Sequence, residues 1–115
     1  MSRPFQHGID LFNRGAFFEC HEALEEIWTL ERGPRRLFLQ SLIHIAVAFY
    51  HVQRGNRVGA DRQLHKGLKK LASYLPTCEG VDTRALYSDA QACLARLRNA
   101  EEMGEFPRIR LNSGA

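Results

Sequence analysis

Hydrophobic residues recur along most of the chain at the three- and four-residue spacing of a helix, and glycine or proline interrupts the pattern four times. The interruptions are Gly15, Gly33-Pro34, Gly55-Asn56, and Pro76 with Gly80. They predict helical segments over 4–14, 16–31, 34–54, 57–75 and 82–102. Glycine suits the left-handed residue just past a helix, and proline suits the first turn of the next one. Phe17, Cys20, Leu24, Ile27 and Trp28 make one apolar stripe in the second segment. Leu64, Leu68, Leu71 and Leu75 make another in the fourth, where Gly67 leaves room for a close neighbour, and Leu86, Ala90, Cys93, Leu94 and Leu97 make a third in the fifth. Asn56 and Asp82 are placed to cap the fourth and fifth helices. Period-two alternation is not sustained anywhere and β-branched residues are sparse, so strands are not predicted.

The third segment is different. Phe38, Leu39, Leu42, Ile43, Ile45, Ala46, Val47, Ala48, Phe49, Tyr50 and Val52 leave it almost no solvent face, so it is predicted to be a fully buried central helix. Its polar residues gather on one strip: with Arg36 at 0°, Gln40 falls at about 40°, His51 at about 60° and His44 at about 80°. A buried polar strip needs a polar partner, because an unsatisfied group costs roughly 1–3 kcal/mol.

The second segment offers that partner. His21 lies inside its apolar stripe, Glu25 at the edge of the stripe, and the four-residue spacing puts both on one face. Trp28 follows one turn later. The tight Gly33-Pro34 turn makes the second and third helices antiparallel neighbours, which sets Trp28 near Gln40, Glu25 near His44, and His21 near Val47 or His51. His21, Glu25, His44 and His51 are therefore the candidate metal ligands, with Trp28 and Gln40 as pocket walls. Imidazoles with one carboxylate suit zinc, iron, nickel or manganese, and an open position on such an ion would activate water for hydrolysis. The alternative is a non-enzymatic structural or interaction module, in which the same residues, with Arg35 or Arg36, only lock the helix packing.

The runs FNRGAFFECHEALEEIW, GPRRLFLQSLIHIAVAFYH and RGNRVGA resemble the domain-of-unknown-function 309 family. Its H-x-x-x-E-x-x-W/Y hallmark is matched by His21, Glu25 and Trp28, and the likeness extends over residues 8–75. The resemblance implies a small all-α bacterial or archaeal protein without an established activity, and a metal-binding role for the motif. Other motifs add nothing. His-Glu-Ala-Leu-Glu begins like the zinc-protease HExxH, but its second ligand position is Glu25 and Glu22 lies on another face. A Glu-x-x-His pair, a phosphate-binding glycine loop and a Gly-x-Ser-x-Gly elbow are all missing.

Composition narrows the class further. The chain has 115 residues, 44% hydrophobic and 25% charged, which suits a single globular domain over 1–115 with a helical body (4–102) and an extended tail (104–115) that docks Phe106 and Ile109. Taken together these features predict an all-α fold, a compact antiparallel bundle of about five helices. Sixteen Lys and Arg against thirteen Asp and Glu give only +3, too little for a polybasic arm. The cluster Arg62, His65, Lys66, Lys69 and Lys70 lacks the interleaved aromatics of a nucleic-acid surface, so nucleic acid is not an expected partner. Three cysteines without a C-x-x-C spacing point to a reducing, cytoplasmic setting, and no stretch has the length of a membrane span or the form of a signal peptide. Expected partners are a small molecule at the His/Glu site and a second copy of the chain along the fifth helix.

Overall fold

The computed structural model describes residues 2–112. Helices α1 (Arg3–Asn13), α2 (Phe17–Leu30), α3 (Arg36–Gln53), α4 (Arg57–Leu71) and α5 (Thr83–Arg98) account for all five predicted segments. Their ends follow local chemistry. The Asn56 carboxamide oxygen accepts the Gly59 amide hydrogen at 2.9 Å, and the Asp82 carboxylate accepts that of Ala85 at 2.9 Å, so both predicted caps are in place. Gly15 and Gly55 adopt φ of +76° and +75° at the ends of α1 and α3, a region closed to most side chains.

The chain packs as a series of neighbours, α1 on α2, α2 on α3, α3 on α4 and α4 on α5. The core is aromatic. Phe12, Phe17 and Phe49 meet with ring centroids 5.1–6.0 Å apart, and Phe106 of the tail closes on Phe17 and Phe49 at 5.0 and 5.1 Å. Gly67 permits the close approach of α4 to α3, since a Cβ there would stand 2.8 Å from Ile45 Cγ1 and 3.0 Å from the Ser41 carbonyl oxygen.

Three expectations are revised. Helix α4 stops at Leu71 and gives way to a single 3-10 turn (Ala72–Tyr74), so Leu75 leaves the apolar stripe and is exposed. A two-residue hairpin, Thr77–Cys78 with Val81–Asp82, joins α4 to α5 where no strand was predicted. Val81, buried beside the hairpin turn, also bridges to Leu111, which adds the tail as a third short extended segment. Thirdly, α3 is central but not fully buried. Gln40, His44, Val47 and His51 stay half-exposed along one line, because α2 and α4 flank the helix without covering that strip.

The tail is pinned at long range. Asn13 donates from Nδ2 to the Ile109 carbonyl at 2.9 Å and accepts the Ile109 amide hydrogen through Oδ1 at 2.7 Å. Ile109 and Met103 are buried beneath it. No helix among the described residues is long and apolar enough to cross a membrane.

Candidate functional site

His21 projects from α2 toward α3 because it sits beside the buried stripe of Phe17, Cys20 and Leu24. Its Nε2 lies 3.2 Å from Glu25 Oε2 one turn on, with the imidazole 24% and the carboxylate 48% exposed. The pair is therefore a solvent-lapped imidazole–carboxylate contact at the rim of the α2–α3 groove and not a buried network. Exposed pairs of this spacing contribute about 0.3–0.5 kcal/mol.

Beside the pair lies a cleft of about 170 Å³ lined by Phe18 and His21 of α2 and by Val47, Tyr50 and His51 of α3. Phe18 stacks obliquely on both His21 and Tyr50, with centroids 5.6 and 5.3 Å apart, so it forms the hinge of the wall. Arg54 lies over the Tyr50 ring at 5.9 Å. His51 accepts a long hydrogen bond from Asn56 Nδ2 at its Nδ1, 3.4 Å away, which places the ring proton on Nε2. The Glu25 carboxylate beside His21 Nε2 favours the tautomer with its proton on that nitrogen, which leaves Nδ1 as the ring's lone-pair nitrogen. One imidazole thus offers an acceptor and the other a donor.

The four expected ligands do not converge. His44 turns to α4: its Nδ1 donates to Gln63 Oε1 at 2.7 Å, and its Nε2 accepts from Lys70 Nζ at 3.3 Å. Burial holds the His44 pKa below its usual value, opposed by the Gln63 hydrogen bond and reinforced by the positive charges of Lys70 and Lys66. Among the described residues no group of three or more His, Cys, Asp or Glu side chains is close enough to hold a metal ion. His21 and Glu25 together supply only two donors.

Trp28 and Gln40 also stand outside the cleft. Trp28 carries the Arg36 guanidinium over its ring at 4.0 Å, and that arginine caps the end of α2 by donating to the Trp28 and Glu31 carbonyls at 2.6 and 2.7 Å. Among the described residues the buried indole Nε1 has no hydrogen-bond partner. Arg35, the other candidate partner of Glu25, pairs instead with Glu79 at 2.8 Å and Glu31 at 3.7 Å. Phe18 and Tyr50 were not expected as cleft walls. The signal for them was present, since Phe18 precedes His21 by three positions and Tyr50 follows Val47 by three.

A small helical bundle with an aromatic, imidazole-lined cleft between two antiparallel helices is thus the class of protein that fold and site define. The profile of the family described as domain of unknown function (DUF309) matches residues 5–63, and the chain belongs to that family. The match takes in α1 from Phe5 onward, all of α2 and α3 and the first half of α4, and so contains every residue of the cleft. Two relatives extend the comparison. The uncharacterised protein YpuF of Bacillus subtilis is 42% identical over 57 residues, covering 48% of this chain and 32% of its own length. An uncharacterised protein of Aquifex aeolicus is 24% identical over 102 residues, covering 88% of this chain and 29% of its own. The chain thus spans about a third of the length of these curated relatives.

Proposed function

We propose that the chain is a small-ligand-binding module whose site is the α2–α3 cleft. The observation that carries this reading is the placement of His21 and His51 on one cleft of about 170 Å³ whose other walls are Phe18, Val47 and Tyr50. Apolar cavities of roughly 150 Å³ accept a molecule the size of benzene. The ligand is therefore a single ring bearing a group that donates to His21 Nδ1 and accepts from His51 Nε2–H, as a hydroxyl does. Glu25 orients the His21 ring and fixes its tautomer. Three free thiols, Cys20, Cys78 and Cys93, suit a reducing cytoplasmic setting for this module.

The test is a ligand-detected NMR titration of the full chain with phenol, and with benzene as the hydroxyl-free control. Binding of phenol that weakens at least tenfold in both His21→Ala and His51→Ala supports the reading. Equal binding of benzene, or no binding at millimolar concentration, overturns it and leaves the His21–Glu25 pair as a packing feature of an interaction module.

A divalent metal (Zn, Fe, Ni or Mn) is the second reading, favoured by one distance. His21 Nε2 and Glu25 Oε2 are 3.2 Å apart, the spacing of adjacent ligands with bonds of about 2.0–2.1 Å. Two donors fall short of the three that catalytic zinc sites use, so metal-dependent hydrolysis gains no step from this geometry. Elemental analysis of purified protein decides it: stoichiometric metal, lost in Glu25→Gln, favours the ion over the organic ligand.

A further inference from the structure

A larger cleft, about 360 Å³, lies between α5 and the C-terminal tail, outside residues 5–63 and apart from the imidazole cleft. Its base is apolar: Cys93 from α5 with Phe106 and Pro107 from the tail. Three guanidiniums, Arg96, Arg108 and Arg110, stand around it with the carboxylates of Asp89 and Glu105. The sequence explains the arrangement. Asp89, Cys93 and Arg96 follow one another at helical spacing on a single face of α5. In the extended tail the buried Ile109 separates two exposed arginines, because alternate residues of an extended chain point to opposite sides.

We propose that this cleft binds a small organic monoanion, a carboxylic acid with an apolar body. Volume, charge and order all support it. The volume falls at the lower end of the 300–1,000 Å³ typical of small-molecule sites. Three guanidiniums against two carboxylates leave one net positive charge, which a single carboxylate neutralises. Arg110 approaches Asp89 only at 3.9 Å, and Arg108 makes no hydrogen bond or ion pair among the described residues. A guanidinium fork of this kind accepts a carboxylate through two parallel hydrogen bonds. The site is also preorganised. Arg96 Nη1 is fixed by donating to the Met103 carbonyl at 2.7 Å, Asn13 clamps Ile109, and the backbone of Arg110 accepts the Asp82 amide hydrogen at 2.8 Å. Binding therefore has to order the free Arg108 side chain but little of the backbone around it. The Cys93 thiol beneath the anion is pushed up to about 11 by burial, so it serves as apolar floor and adds no competing charge.

The experiment is a ¹H–¹⁵N NMR titration of the full chain with benzoate at about 0.15 M salt, where diffuse attraction between exposed charges is screened. Methyl benzoate and inorganic phosphate are the comparison probes. Benzoate is expected to shift the amides of residues 89–96, 105, 106 and 108–110, and to bind at least tenfold more weakly to Arg108→Gln, whose exposed side chain holds no hydrogen bond among the described residues. Methyl benzoate should bind at least tenfold more weakly as well. Equal binding of the ester, unchanged affinity in Arg108→Gln, or phosphate as strong as benzoate would each overturn the proposal. So would benzoate shifts confined to Phe18, His21, Val47 and His51, which would instead place the acid in the α2–α3 cleft.

Discussion

The two sides of α3 are built from different material. Toward α1 and the tail, Phe38 and Phe49 meet Phe5, Phe12, Phe17 and Phe106 in a closed aromatic interior. On the outer side, Gln40, His44, Val47 and His51 are half-exposed, and each finds a different neighbour or none. The closed side gains stability from dispersion and from the loss of water. The open side keeps polar groups in reach of water, where pairing one of them adds little. A helix apolar on most of its circumference can therefore build the core with one face and line an open cleft with the other, with the stability carried by the closed face.

Substitutions should separate the two faces by size of effect. Phe49→Ala, which removes a fully buried ring packed on three others, is expected to destabilise by about 3–5 kcal/mol in denaturant unfolding. A loss under about 1 kcal/mol would mean that the interior is looser than described. Gly67→Val sharpens the comparison where the faces meet. A side chain there runs into Ile45 and the Ser41 carbonyl, and the expected cost is about 1–3 kcal/mol. Trp28→Phe removes a buried N–H that has no partner but keeps a face for Arg36, so it should change stability by less than about 1 kcal/mol. His21→Ala breaks a rim pair and an oblique ring contact with Phe18, and about 1 kcal/mol or less is expected at neutral pH. A loss as large as that of Phe49→Ala would make the rim part of the core.

His44 gives the open face a pH signature. Burial keeps its folded pKa below the unfolded value of 6.5, so at intermediate pH the unfolded chain holds more protons than the folded one. Its contribution is complete above pH 6.5 and is lost as pH falls from there through the folded pKa. Unfolding curves measured from pH 7 downward should decline less steeply in His44→Gln than in the wild type, and an NMR titration should find His44 protonating below pH 6.5. Protonation above that value would contradict the burial and lysine contacts described here.

Much of the fold was legible because it is local. Asn56, Asp82, Gly15 and Gly55 mark helix ends through groups within a few residues, and the three-four spacing of Leu64, Leu68 and Leu71 declares a buried face without reference to its partner. The candidate site was legible only in part. His21 and Glu25 share a helix, so their meeting follows from spacing, and the antiparallel turn correctly put His21 beside Val47 and His51. His44 was misplaced because a wheel shows which direction a residue points but not which neighbour stands there. On α3 that direction belongs to Gln63 and Lys70 of α4. Leu75 failed for a related reason, since the turn at Ala72–Tyr74 ends the helix before its periodicity would.

The amino-acid order was enough to set the helices, their succession and the His21–Glu25 pair, because each rests on spacings of three or four residues that backbone geometry converts directly into neighbours, and the likeness of whole runs of residues was enough to set the family. Only the packed molecule shows that His44 faces α4 and that Asn13 clamps Ile109 from ninety-six residues away. Such contacts depend on how helices rotate and cross. That is fixed by the summed packing of the whole interior and leaves no mark on any one stretch of the chain.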